Sequence, residues 1–199
     1  MALSDTKICI LSLSDIGSKR INDFSDATED SPQAIMCRLH YEPTRDALIR
    51  SHWWRFASDR ATLSKDAEAD PPFEYDNQFI LPTDFLAMKS IYENRFSSEN
   101  YRSYALEGQR LLTNESTMEI RYIKKVTDPT KFDPLFVQVF VLQLDLKLLT
   151  GLAKTDTKLK ESIKDDLKLL MPSVRALDSQ ETNTIGEQEL ETWNNSRYR

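Results

Sequence analysis

The sequence predicts an α+β, mainly helical fold, in which a helical bundle body carries a small inserted antiparallel β subdomain and an extended C-terminal tail. Three observations support this prediction. Residues 133–152 form a long apolar stretch, segments near both ends carry apolar residues at helical spacing, and the middle of the chain has short aromatic and β-branched runs separated by prolines. The predicted parts are residues 1–57 and 126–178 for the helical body, 58–125 for the β subdomain and 179–199 for the tail.

The composition restricts the classes of function. A chain of 199 residues can form one domain, or one domain with an insertion, and four glycines favour helices over glycine-rich hairpins. Two cysteines are too few for a disulfide scaffold and fit a reducing cytoplasm. No targeting signal is expected, because residues 8–16 are interrupted by polar side chains. Acidic residues outnumber basic ones 32 to 26, which argues against a protein that holds nucleic acid through its phosphates.

Two helices are predicted before residue 43. Ser4 is a plausible N-cap for a short first helix that Gly17 can end, because glycine readily takes the left-handed conformation of a helix C-terminus. An acidic connector, residues 22–30, follows. Ser31 and Pro32 then have the order of an N-cap and a first helical residue, so they predict the start of the second helix.

Pro43 is predicted to break or kink this second helix, since a proline ring clashes with the carbonyl four residues earlier. A separate helical segment is therefore expected over residues 44–56. At helical spacing Trp53 falls on the apolar side of that segment and is predicted to pack in the core. Trp54 is predicted to be exposed, at a lateral contact between subunits or elsewhere.

The β subdomain is predicted to be an antiparallel sheet. Residues 101–107 and 110–113 flank Gly108 as a hairpin. Residues 117–124 alternate apolar and charged side chains at the period of a strand, and residues 86–92 are expected to pair with them.

Residues 133–152 are predicted to form a buried helix around which the chain is arranged. Asp133 can cap this helix, Pro134 suits its first position and Gly151 can end it. Its apolar residues fall on two sides of a helical wheel, so it needs two neighbours. These are either two layers of one domain or a domain and another subunit. A membrane span is the rival interpretation, but the polar residues within the stretch argue against it.

The second of these alternatives predicts a subunit boundary along residues 138–147. The subunit-interface candidates are Gln138, Leu142, Asp145 and Leu146, together with Trp54.

A last helix is predicted from residue 156 or 157 to residue 178, with Pro172 expected to kink it. Its apolar stripe predicts antiparallel packing against the helix over residues 133–152. Residues 179–199 have no apolar periodicity and are expected to be extended. The tail nevertheless ends in side chains that are favoured as interface anchors, namely Trp193, Arg197, Tyr198 and Arg199.

The sequence contains no motif that predicts catalysis. It has no phosphate loop, dinucleotide fingerprint, calcium loop or Gly-flanked serine, so neither catalytic residues nor cofactors are predicted. Cys9, Cys37, His40 and His52 could be counted as zinc ligands, but structural zinc usually shows two close ligand pairs and only one is present. No metal site is predicted, because buried thiols and hydrogen-bonded histidines account for these residues.

Several long segments together resemble one family. They are MALSDTKICILSLSDIGSKRIND at 1–23, CRLHYEPTRDALIRSHWWRFA at 37–57, ATLSK at 61–65, LPTDFL at 81–86, LLTNES at 111–116, VTDPTKFDPLFV at 126–137 and QETNT at 180–184. In these segments, which extend over nearly the whole chain, the protein closely resembles the tail tubular protein A family of short-tailed phages, the head-to-tail adaptors.

The resemblance implies a structural virion protein without enzymatic activity or cofactor. It implies a ring of twelve copies below the portal protein, a helical body with a β subdomain, and contact on the far side with the tail nozzle, a protein of the tail tubular protein B type. Genomic DNA would pass through the ring without sequence-specific binding during retention and ejection. The protein would lie in the virion tail after assembly in the host cytoplasm, and the four tail residues named above become portal-interface candidates.

Two other functions compete with this structural role. A tail component could be a hydrolase acting on host-surface polysaccharide, and the acids of the β subdomain would be the place to look: Glu74, Asp76, Asp84 and Glu93. Their spacing matches no defensible carboxylate pair. A free DNA-binding module is disfavoured by the excess of acidic residues.

Overall fold

The computed structural model describes residues 3–26, 28–67, 71, 73–91, 104–152 and 156–180. Four α-helices and six β-strands lie within these residues. In chain order they are α1 (Asp5–Asp15), α2 (Pro32–Arg50), β1 (Ser58–Lys65), β2 (Asn77–Ile80), β3 (Phe85–Ile91), β4 (Tyr104–Glu107), β5 (Arg110–Thr113), β6 (Met118–Lys124), α3 (Pro134–Gly151) and α4 (Thr157–Gln180). Short 3-10 helices cover Arg55–Ala57 and Pro129–Lys131.

The helix α3 lies at the centre of the helical core and packs against α1, α2 and α4. Its fully buried side chains include Phe136, Val139, Phe140, Leu144 and Leu148. Both apolar sides of α3 are therefore covered largely by helices of the same chain, which matches the alternative of two layers in one domain. By length and composition α3 could cross a membrane, but half of this helix is buried inside the chain, where it packs against the other helices.

The start of α3 is fixed by a side-chain cap, as predicted. The Asp133 carboxylate accepts hydrogen bonds from the backbone N–H groups of Leu135 at 2.8 Å and Phe136 at 3.4 Å. These donors have no carbonyl partner within the helix, so the cap satisfies them.

An Asp133→Ala variant is expected to lose about 1 kcal/mol of folding free energy, the usual contribution of such a cap. Urea denaturation of the purified chain measures this loss. Asp128→Ala is the matched control, because Asp128 caps only the 3-10 turn through Thr130. A loss for Asp133→Ala no larger than that of the control would contradict the assignment of the cap.

The six strands form one antiparallel sheet with the order β3-β6-β1-β2-β5-β4. One side of the sheet closes over a second apolar core, made by Leu63, Phe79, Leu81, Leu111, Met118, Ile120 and Tyr122. Ile123 instead belongs to the helical core, so the end of β6 joins the two parts. Arg50, at the end of α2, adds a second link by donating a 2.7 Å hydrogen bond to the carbonyl of Leu86 in β3. The strand β3 pairs irregularly with β6, with register shifts between Phe85 and Ala87 and between Met88 and Ser90.

The predicted fold class is wrong. The described chain is an α+β structure with four helices and a six-stranded curled sheet, not a helical bundle body with a small inserted β subdomain. The error arises from β1 and β2, which were not predicted. Only Leu63 is buried among the eight residues of β1, and β2 has four residues, so neither strand shows a clear apolar alternation. The domain boundaries given above stay predictions.

Several strands and helices that were predicted individually are confirmed. The hairpin of β4 and β5 turns at Gly108, whose φ of 58° lies in the left-handed region that glycine readily adopts. The strand β6 pairs with β3 as expected. The helix α4 packs against α3, and Lys160 at its start reaches Thr150 at the end of α3. The predicted extended tail, residues 179–199, begins inside α4, which continues to Gln180, and residues 181–199 lie outside the described part.

The second helix differs from its prediction. Pro43 lies inside a continuous α2, and the chain leaves the helix at Ser51 instead of continuing to residue 56. Trp54 is therefore fully buried and donates its indole N–H to the carbonyl of Leu48 at 2.9 Å, whereas Trp53 is 42% exposed. The predicted roles of the two tryptophans are thus reversed, because the helical spacing used to place them ends before both.

Candidate interaction surfaces

The structure separates the predicted subunit-interface residues into two groups. Gln138 is exposed, and Leu142 and Leu146 are partly exposed on α3. Asp145 and Trp54 are fully buried within the chain. Their side chains do not reach its surface, so we remove these two from the interface candidates.

Leu146 lies in a groove between α2, α3 and α4, which we call the helical groove. It has a volume of about 580 Å³ and is lined by His40, Gln143, Leu146, Lys147, Thr150, Gly151 and Leu167. At Gly151 a Cβ atom would lie 2.6 Å from the sulfur of Met36, so the absence of a side chain lets α2 approach the end of α3. The apolar side chains of Leu146 and Leu167 make this groove suited to contact with a protein surface.

Asp145 has a structural role in the helical core. Its Oδ1 accepts a hydrogen bond from the hydroxyl of Ser12 on α1, while its Oδ2 has no hydrogen-bond partner in the described part of the chain. Burial raises the pKa of Asp145 to about 7; the Ser12 hydrogen bond opposes this shift, and nearby Asp15 adds to it. The residue therefore links α1 to α3 through a carboxyl group whose neutral form is favoured below about pH 7.

A second surface lies on the open face of the sheet, and we call it the basic groove. It has a volume of about 360 Å³ and is lined by Arg55, Ser58, Asp59, Arg60, Lys89 and Arg121. Arg60 and Arg121 are directly opposite each other in the pairing of β1 with β6. Lys89 lies in β3 between Met88 and Ser90, where the register of that strand shifts.

The positive charge of the basic groove is not neutralised by its own acidic residue. Asp59 accepts a 2.6 Å hydrogen bond from the ammonium group of Lys124, and this contact is the largest cause that holds the pKa of Asp59 below its usual range. Within the described residues, the charged groups of Arg60, Lys89 and Arg121 have neither an ion pair nor a hydrogen bond. Sequence reasoning missed this groove, because its cross-strand arginine pair depends on β1, which was not predicted.

Comparisons with known proteins do not add a family. Neither the scan against models of protein families nor the search of curated proteins found a match. The family resemblance thus rests on the sequence segments quoted above and stays a prediction.

The portal-interface candidates Trp193, Arg197, Tyr198 and Arg199 lie outside the described residues. The last described residue is Gln180, at the end of α4. Near that end, Asp178 accepts hydrogen bonds from the His52 ring at 3.0 Å and the backbone N–H of Arg55 at 3.2 Å. The C-terminal end of α4 is therefore hydrogen-bonded to the segment that joins α2 to the sheet.

The four residues considered as zinc ligands do not converge. Cys9 and Cys37 are both buried, and their hydrogen bond, together with burial, raises the pKa of Cys9. His40 lines the helical groove, while His52 contacts Asp178. Among the described residues no group of three or more His, Cys, Asp or Glu side chains is placed to hold a metal ion.

The acids considered for polysaccharide hydrolysis are also separated. The backbone N–H of Asp76 donates to the Asn114 side chain next to β5, whereas the backbone carbonyl of Asp84 accepts from the backbone N–H of Lys125 beyond the end of β6. These contacts hold the two acids at opposite ends of the sheet. Glu74 precedes β2 in a turn, and Glu93 lies outside the described residues.

Proposed function

We propose that this protein is a structural virion protein, a ring-forming head-to-tail adaptor that joins the portal to the tail nozzle and surrounds the DNA channel. The observation that carries the proposal is the set of sequence segments, between residues 1 and 184, that resemble the tail tubular protein A family. The adaptor acts by assembly and not by catalysis, in the virion tail after assembly in the host cytoplasm.

Two features support assembly into a ring. A closed ring of identical subunits needs two unlike surfaces on each copy, one for each neighbour. The helical groove, with Leu142 and Leu146 partly exposed near it, and the basic groove are unlike in chemistry and lie on different parts of the chain.

The overall charge supports a conduit for DNA. The chain carries a formal charge of -6. A lining that bound phosphate through many cations would hold DNA strongly, whereas a negative or mixed lining lets it slide during packaging and ejection. Passage of this kind requires no base-specific contact.

Mass measurement of the purified protein, alone and mixed with its portal protein, tests the proposal. The expected result is a ring of many copies bound to the portal, formed either alone or only on the portal. The portal alone is the control for its own oligomeric mass. A chain that stays monomeric and does not bind the portal in the mixture would contradict the proposal.

Deleting residues 192–199 is expected to abolish or strongly weaken attachment to the portal. The reason is that this segment holds the tryptophan, tyrosine and two arginines proposed as anchors. The melting temperature is expected to stay unchanged, because the described fold ends at Gln180. Thermal melting and co-sedimentation with the portal measure the two effects. Undiminished attachment of the truncated protein would move the portal contact to the helical body.

A further inference from the structure

We infer that the basic groove binds the acidic connector of a neighbouring copy of this chain, with the connector defined as residues 22–26 and 28–30. The inference rests on the proposed ring and names the charged surfaces that meet in it.

The carboxylate that lines the basic groove, Asp59, is bonded to Lys124 and, within the described residues, forms no ion pair with the cations of the groove that carry the inference. Like charges directly opposite each other on neighbouring strands destabilise a sheet, and Arg60 and Arg121 are such a pair. Lys89 adds a third cation to the same groove, and no described carboxylate pairs with any of the three. An anionic surface that entered the groove would relieve this repulsion and gain charge-assisted hydrogen bonds with the guanidinium groups.

The acidic connector offers a complementary surface that is already held in shape. The Arg38 guanidinium donates hydrogen bonds to the backbone carbonyls of Phe24, Asp26 and Glu29 at 2.8–3.1 Å. The Glu29 carboxylate accepts from the backbone N–H of Asp23 at 3.0 Å. Because these contacts fix the backbone, little conformational entropy remains to be lost on binding.

The exposed carboxylates of the connector are Asp23, Asp26 and Asp30. Hydrogen bonds from Ser25 to Asp23 and from Thr28 to Asp26 hold the pKa values of these two carboxyls below their usual range. Both groups therefore stay ionised well below neutral pH, and the connector keeps its negative charge.

The two surfaces lie at opposite ends of α2. The connector leads into the first residue of this helix, while Arg50 at its other end contacts the carbonyl of Leu86, in the strand that carries Lys89. A helix of 19 residues is about 28 Å long, so one copy cannot close this contact on itself. Repetition of this contact joins successive copies head to tail. The row of copies closes into a ring when the rotation between neighbours permits.

Charge reversal on each surface tests the inference. The groove variant is Arg60→Glu with Arg121→Glu, and the connector variant is Asp26→Lys with Asp30→Lys; all four side chains are exposed. Each variant alone is expected to assemble at least tenfold more weakly than the wild type, in the presence of the portal if the portal is needed. Arg60→Lys with Arg121→Lys is the matched control, and it is expected to assemble because the charge is kept.

Mixing the two reversed variants in equal amounts gives the sharpest readout. In an alternating ring every reversed groove meets a reversed connector and every natural groove meets a natural connector. The mixture is therefore expected to regain assembly, in species with an even number of copies. Melting curves of each variant check that loss of assembly is not loss of folding, and Lys89→Glu provides a second groove variant if the double change unfolds the chain.

Three outcomes would overturn the inference. Full assembly of both reversed variants would show that this contact does not form, while the proposed ring would not be contradicted. A wild-type chain that neither self-assembles nor binds the portal would contradict both this contact and the proposed ring. Groove variants that assemble normally but lose binding to duplex DNA would assign the groove to a phosphate backbone instead of a second copy.

Discussion

A Phe140→Asp variant is expected not to fold. Phe140 is fully buried on α3, with its ring centroid 5.1 Å from that of Tyr41 and 5.9 Å from that of Phe136. Loss of a buried Phe side chain alone costs about 3–5 kcal/mol, and a buried unpaired carboxylate costs several kcal/mol more. Because a domain is stable by only about 5–15 kcal/mol, the sum removes most or all of its stability. Leu144→Asp is expected to behave in the same way, and circular dichroism with thermal melting measures both.

The matched variants on the same helix are Leu142→Asp and Leu146→Asp. These side chains are partly exposed, so the new carboxylate keeps contact with water and the chain is expected to fold. If this side of α3 faces a neighbouring subunit, the charge blocks formation of the ring while the monomer stays intact. Mass measurement with the portal separates the two effects. Unfolding of all four variants would show that this side of α3 is only core, and the proposed subunit boundary would be lost.

The contribution of Asp145 to the stability of the chain is expected to fall as the pH rises from about 4 to 7. Its pKa is about 7 in the folded chain against 3.8 for an ordinary aspartate. The folded state therefore binds more protons than the unfolded state within this range, so its advantage is fully present below pH 4 and lost by pH 7. The folded and ordinary pKa values differ by about three, which corresponds to on the order of 4 kcal/mol of folding free energy. Carboxyls with lowered pKa values, such as Asp59, act with the opposite sign and at lower pH.

Urea denaturation at several pH values measures this slope, and Asp145→Asn is the informative variant. Asparagine has the shape of the neutral acid and can still accept the Ser12 hydrogen bond, so the variant is expected to lose most of the slope and to be more stable than the wild type at pH 8. Ser12→Ala is the contrasting variant, since it removes the hydroxyl that partly stabilises the ionised form, and its slope is expected to steepen. Identical slopes in the wild type and Asp145→Asn would contradict the pKa assigned to Asp145.

The sequence allowed the helices with strong caps and apolar patterns to be predicted closely. The helix α3 begins after Asp133, as this cap residue indicated, and the hairpin turns at Gly108; Gly151, by contrast, is the last helical residue of α3 and does not adopt the left-handed conformation. These signals are local, because each depends on a few neighbouring residues whose conformations are restricted. The central strand β1 gave no such signal, since its position in the sheet depends on partners far along the chain.

The candidate surfaces were harder to predict, for a related reason. Two apolar sides on α3 indicated more than one neighbour, and three helices of the same chain cover it, but wheel geometry cannot distinguish such helices from another subunit. Asp145 was placed at an interface because it lies within residues 138–147 of the helix with two apolar sides, yet it is buried against Ser12. The cross-strand pair of Arg60 and Arg121 emerges only from the register of β1 with β6.

The irregular pairing of β3 has a consequence for the protein at high local concentration. Among the described strands, β3 is bonded on one side only, to β6, so its other edge carries backbone groups that another chain could pair with. The register shifts at Phe85–Ala87 and Met88–Ser90 interrupt the even spacing that strand addition needs. This irregularity makes strand addition at the β3 edge less favourable, so in the proposed ring the contacts between copies at this edge would be left to side chains, which select a partner more strictly than a bare strand edge does.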